Sequence, residues 1–143
     1  MFKPYKPNAE ELALLKSGEW RNDYDFKMIM KTRRLDLLQA YLYRADLCGA
    51  NLCKANLIKA YLRGANLYKA NLREANLRET DLRNANLYNA ILYKANLTDA
   101  IIDKNNFDQH IDKSIWECEV IKNDIVRIKR KGLLMRLFNK LKF

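Results

Sequence analysis

The sequence predicts an all-β solenoid about 3.5 coils tall, with short α-helical caps at its N- and C-terminal ends. Three observations carry that reading. A five-residue unit recurs without interruption from Ala40. Its period fits neither an α-helix nor a continuous strand. Outward-facing residues match again at a spacing of twenty.

In the thirteen units from 40 to 104 the first position is Ala except at Thr80 and the third is Leu except at Ile102. The second is Asn or Asp in nine of the thirteen, while the fourth and fifth vary. On an α-helix each residue advances about 100°, so successive leucines fall about 140° apart and wind round the axis without making a stripe. On a strand the first and third positions share a face, but two variable positions then intervene before the next Ala. A backbone that turns a corner in every unit keeps all the Ala and Leu inward, and the chain coils around its own core. Tyr41 with Tyr61, Arg63 with Arg83 and Tyr68 with Tyr88 favour four units per coil. Leu42, Leu62, Leu82 and Ile102 then form one interior row, and Leu47, Leu67, Leu87 and Phe107 another. With coils stacked at roughly 4.8 Å the column is about 17 Å tall. Ala at the first position leaves room in a narrow tube for the branched side chain beside it.

The A(D/N)LXX run, taken over residues 40–109 with a decayed last unit NNFDQ, resembles the pentapeptide-repeat family. That resemblance implies a right-handed quadrilateral β-helix with four pentapeptides per coil, an N-terminal cap, and dimerisation through the C-terminal ends. Tyr41, Tyr61, Ile91 and Ile101 depart from Asn/Asp at the second position, within what the family tolerates. The best-understood members protect or inhibit type II DNA topoisomerases by imitating the size and negative charge of DNA. This chain is similar in its repeat and not in its charge. Residues 40–104 hold ten Lys/Arg against six Asp/Glu, and the column is short for an extended duplex. A topoisomerase-binding DNA mimic is therefore the least favoured reading.

Residues 1–39 read as an N-terminal cap with a helix over about 8–18. Asn8 and Glu11 have capping-box spacing, Leu12, Leu14 and Leu15 supply an apolar side, and Gly18 is a stop. Trp20, Phe26, Met28 and Met30 are expected over the first coil, with Leu35 and Leu37 in a degenerate lead-in unit. Residues 110–143 leave the repeat as a C-terminal cap or tail. SIWECEVI alternates as a strand does, and Ile125, Val126 and Ile128 continue the apolar signal. A basic amphipathic helix is predicted over about 133–142, with Leu134, Leu137, Phe138 and Leu141 on one face.

The formal net charge of the 143 residues is +10, with Lys plus Arg at 27 and Asp plus Glu at 17. Residues 122–143 contain eight Lys/Arg against Asp124 alone. The basicity is thus concentrated in a candidate tail of Arg127, Lys129, Arg130, Lys131, Arg136, Lys140 and Lys142. Such a segment serves as a cap, a dimer element, or an anchor to nucleic acid or an anionic membrane.

Catalytic chemistry finds little to work with. One His and three cysteines, Cys48, Cys53 and Cys118, lack metal-ligand spacing, and the four glycines are scattered. A tube filled by Ala and Leu leaves no pocket. No catalytic residue, metal site or cofactor is predicted, and the chain reads as no enzyme. The candidate interaction face holds Tyr41, Tyr43, Tyr61, Arg63, Arg83 and Ile101, because aromatic residues and Arg are enriched at interfaces. The functional expectation is a non-catalytic scaffold that binds an unknown protein partner and forms a homodimer through a terminal cap. The alternative is a polyanion or membrane-surface binder using the basic tail. With no apolar run near the roughly 18 residues of a membrane span, a reducing cytoplasm is the expected compartment.

The interior rows make a direct prediction. Leu82→Arg buries an unpaired charge and should abolish cooperative folding. A thermal melt of unchanged cooperativity would refute the assignment.

Overall fold

A computed structural model describes residues 4–131, apart from 112, 114, 115 and 123. Helix α1 spans Ala9–Ser17, a 3-10 turn covers Glu19–Arg21, and α2 spans Tyr24–Thr32. The repeat follows, and then β1 (Ile101–Asp103), α3 (Lys104–His110), β2 (Trp116–Lys122) and β3 (Ile125–Arg130).

Each unit makes its corner in the same way. The first-position N–H donates to the third-position carbonyl of the preceding unit, as in Ala60 to Leu57 at 3.0 Å. The fifth position between them takes a positive φ of 55–60° in every unit that lacks glycine there, from Gln39 to Asp99. A positive φ at the third residue of a four-residue turn is the type II arrangement, which suits Gly and Asn best. Gly49 and Gly64 occupy that position at φ 69° and 71°.

The second-position Asn or Asp contributes more than polarity. Its Oδ1 accepts the N–H two residues on, as Asp46 does from Cys48 at 3.2 Å and Asn86 from Tyr88 at 3.1 Å. This local bond holds the chain in its turn. The amide also bridges coils: Asn56 Nδ2 donates to Asp36 Oδ1 at 2.9 Å, and Asn66 Nδ2 to Asp46 Oδ1 at 3.1 Å. These side chains are mostly half-buried ladder elements and not simply a solvent face.

Parallel bridges join residues twenty apart, from Asp36↔Asn56 through Tyr41↔Tyr61 to Asp81↔Ile101. Four corners per twenty residues agree with the spacing of the outward matches. Leu42, Leu62, Leu82 and Ile102 are completely buried in one row, with Leu47, Leu67 and Leu87 in the next. Thr80, the one exception to Ala, is also buried, and its hydroxyl donates to the Leu57 carbonyl at 2.8 Å.

The limits of the column differ from those read in the sequence. Leu35 and Leu37 are buried and Asp36 pairs with Asn56, so the lead-in unit belongs to the first coil. The unit NNFDQ does not continue the repeat to 109. It forms α3, where Asn105 replaces the inward Ala and the side chains pair one helical turn apart, Lys104 with Asp108 at 2.6 Å and Gln109 with Asn105 at 2.8 Å. Phe107 is buried as expected, but from a helix laid over the last coil.

At the first coil α1 has both halves of the predicted capping box and ends on a left-handed Gly18. Leu15, Trp20, Phe26 and Met30 are buried there, whereas Met28 faces solvent. Trp20 Nε1 donates to the Asp46 carbonyl at 3.0 Å, and the Asp46 N–H donates to the Lys16 carbonyl at 3.0 Å. Arg21 completes the clamp, reaching both Asp46 carboxylate oxygens at 3.1 and 3.2 Å and the Cys48 carbonyl at 2.7 Å. At the last coil β3 lies between β1 and β2 in an antiparallel sheet. Val126 and Ile128 point into the core. The helix predicted over 133–142 lies outside the described residues.

Two outcomes follow from these geometries. Asn89, at φ 58°, should tolerate Gly within a few tenths of a kcal/mol, whereas Asn89→Val should cost about 1–2 kcal/mol in denaturant titrations. Burial alone would push the Asp46 carboxyl up, but the Arg21 guanidinium, the Cys48 N–H and the Asn66 amide outweigh it and hold the group below its ordinary value. A lowered folded pKa gives stability that is present above the unfolded value of about 3.9 and is lost as pH falls through the folded value. Asp46→Asn keeps the turn and the ladder. It should cost less than about 1 kcal/mol at pH 7, because the pair is partly exposed, and its melting temperature should fall less steeply below about pH 4 than that of the wild type.

Candidate functional site

The aromatic side of the column arises where the Asn/Asp ladder is interrupted. Tyr41 and Tyr61 take second positions and cannot bridge coils through an amide, so their rings project outward at 59% and 53% exposure. Their centroids lie 6.1 Å apart, and Tyr43 stands 6.2 Å from Tyr41. Lys16, from the end of α1, sits 5.0 Å from the Tyr41 ring, and Arg44 lies 5.2 Å from that of Tyr43. Gly64 makes room for Arg44: a Cβ there would meet Arg44 Cγ at 3.1 Å. Arg63 is exposed beside this group. Among the described residues no carboxylate forms an ion pair with Lys16, Arg44 or Arg63, so the cluster presents three cations around three rings.

The predicted face does not continue evenly to its far end. Arg83 is tied to Asp81 at 2.8 and 2.5 Å. Burial pushes the Asp81 carboxyl up, yet hydrogen bonds from Arg83, with Arg63 nearby, bring it below its ordinary value, and the Arg83 guanidinium is correspondingly raised. Ile101 is a half-buried residue of β1, opposite Arg127 of β3. The structure therefore keeps Arg83 and Ile101 in the same rows as Arg63 and Tyr61, with Arg83 held by Asp81 and Ile101 half-buried beside β3. Sequence reasoning missed Lys16 and Arg44, whose places depend on the docking of α1 and on the corner at Gly64.

Elsewhere on the column Tyr68 and Tyr88 stack in parallel planes at 6.0 Å, and His110 meets Tyr88 edge-on at 6.4 Å. Cys48, Cys53 and Cys118 are free thiols. Of the candidate basic tail, Arg127, Lys129 and Arg130 are residues of β3 and Lys131 follows it directly. Arg127 and Lys129 share Glu119 at 3.9 and 3.4 Å, which reduces the charge they offer a polyanion. Arg136, Lys140 and Lys142 lie outside the described residues. Among the described residues no group of three His, Cys, Asp or Glu is placed to hold a metal, and no helix is long and apolar enough to cross a membrane.

The model of the family described as pentapeptide repeats matches eight copies over residues 40–78 and 65–103. No curated protein matches the chain. Among solved structures, HetL, a pentapeptide repeat protein involved in heterocyst differentiation regulation from Nostoc sp. strain PCC 7120, is 34% identical over 50% of this chain and 42% of its own, with a TM-score of 0.31. Rfr23 from Cyanothece 51142 is 37% identical over 50% of this chain and 48% of its own, with a TM-score of 0.30. The chain thus spans less than half the length of either. The pentapeptide repeat protein alr5209 from Nostoc PCC 7120 is 31% identical over 73% of this chain and 86% of its own, with a TM-score of 0.28. With the repeat matched along residues 40–103 and a relative covered over most of its length, the chain belongs to the pentapeptide-repeat family.

Proposed function

We propose that the protein is a non-catalytic interaction module: a right-handed quadrilateral β-helix, capped at both ends, that docks a protein partner on the side bearing Tyr41, Tyr43 and Tyr61. The cluster of three exposed rings among Lys16, Arg44 and Arg63 is the observation that carries this reading. Tyrosine offers large, rigid contact area with little side-chain entropy to lose, and Arg adds directional hydrogen bonds. Cations beside the rings that form no ion pair among the described residues fit a partner whose surface is acidic around an apolar centre. The rings stand on stacked coils whose backbone is fixed by the ladder, so the surface is organised before binding.

Tyr61→Ser combined with Arg63→Ser tests the reading. Both side chains are exposed, so thermal stability should stay within about 0.5 kcal/mol of the wild type. The wild type should retain a specific partner from an extract, less strongly at high salt, and the double variant should lose it by tenfold or more. Equal retention by a folded double variant would overturn the proposal.

A further inference from the structure

A second group of rings and cations stands on residues 65–74 and 85–94, which form the two sides of the column that follow the one bearing Tyr41 and Tyr61. Along one coil the rings and cations on the outside are Tyr68, Lys69 and Arg73; along the next, the rings, cation and apolar residue are Tyr88, Ile91, Tyr93 and Lys94. The two rungs lie side by side: the Lys69 N–H donates to the Tyr88 carbonyl at 3.1 Å, and Asn71 is bridged to Ile91. Asn71 Nδ2 donates to Asn51 Oδ1 at 3.3 Å, but Ile91 has no amide with which to extend that row. The row therefore turns apolar at its last step. Ile91 is 46% exposed there, with Tyr88 at 58% and Tyr93 at 57%.

The rings are held in place and the cations lie against them. Lys69 Nζ is 5.0 Å from the centre of the Tyr68 ring, and the Arg73 guanidinium and Lys94 Nζ are 5.2 and 5.3 Å from that of Tyr93. The Tyr88 ring stacks on Tyr68 with its plane turned by only 2°, and His110 meets it edge-on. Lys69, Arg73 and Lys94 are all exposed. Glu74 is the one carboxylate in these two stretches, and Lys54 of the coil before it binds it at 3.7 Å.

We infer that this surface binds single-stranded nucleic acid, with unpaired bases on Tyr88 and Tyr93 and phosphates on Lys69, Arg73 and Lys94. A single strand alternates flat bases with a charged backbone, and aromatic side chains interleaved with Lys and Arg take up both. A duplex keeps its base faces stacked inside the helix, so it meets the cations through its phosphates and gains nothing from the rings. An acidic protein surface likewise matches the cations, but it has no succession of flat groups for two rings five residues apart on one coil. A second copy fits less well, because a two-fold contact through this surface sets Lys69, Arg73 and Lys94 against their own counterparts. The inference does not depend on the partner proposed for the side bearing Tyr41.

Fluorescence anisotropy of the full chain with labelled oligo(dT) of about twelve nucleotides tests it. Binding should be present at about 50 mM salt, with log K falling against log salt at a slope of about −2, the value for three phosphates on a single strand. A duplex of the same length, and poly-glutamate of the same charge, should each bind at least about tenfold more weakly. Tyr88→Ala with Tyr93→Ala should weaken oligo(dT) binding at least about tenfold and duplex binding less than about twofold. Arg78→Gln, on the remaining side of the column, should leave both unchanged. In the wild type, 5-iodouracil in the oligonucleotide should photo-cross-link to Tyr88 or Tyr93, and this arm holds even if the double variant fails to fold. No binding at low salt, equal binding of the duplex or of poly-glutamate, undiminished binding by a folded double variant, or cross-links only to other residues would overturn the inference.

Discussion

The hydrogen bonds that run from each coil to the next, between residues nineteen to twenty-one apart, are the constraint on which the rest of the molecule depends. They satisfy the backbone of a repeat whose units make only single bridges, and they fix every side chain in a row with its equivalents. The leucine rows, the asparagine ladder and the tyrosine cluster are three consequences of one register. The ladder also explains why the interior tolerates so little variety. A tube this narrow is filled by one branched side chain and one methyl from each side, so the sequence is free to vary only at the corners and on the outside.

The register was readable because it repeats. Thirteen corners in succession leave few alternatives, and matches at twenty residues favour four sides to a coil. The capping box at Asn8 and Glu11 was readable for a different reason, since its chemistry is local to four residues. The failures occurred where the outcome depends on distant contacts. Phe107 stands at the expected third position and is buried, yet Asn105 cannot take the place of Ala beneath it and the unit becomes a helix. The sequence assigns the second-position Asn no role, while in the fold its amide spans neighbouring coils. Arg127 and Lys129 looked like part of a basic tail, whereas the alternation of Val126 and Ile128 makes them the outer face of a strand.

The candidate site follows from the same logic. An interrupted ladder releases two tyrosines, and the loss of a Cβ at Gly64 gives an arginine somewhere to lie. Neither change disturbs the backbone bonds, because the Tyr61 N–H still donates to Ala40 and its carbonyl still accepts from Leu42, both at 2.9 Å. Function can therefore change on this scaffold at little cost in stability, through positions that the core does not read.

A ladder built from near-identical rungs has a further consequence for how the chain finds its fold. Sliding by one whole coil returns Leu to Leu and Ala to Ala, so the repeat alone barely distinguishes the native pairing from one displaced by twenty residues. The clamp of Trp20 and Arg21 on Asp46 and Cys48 has no equal one coil later, where Asn66 and Tyr68 stand. The helical segments at the first coil thus act as a starting mark from which the coils are counted, and the address of every exposed side chain is set from that end.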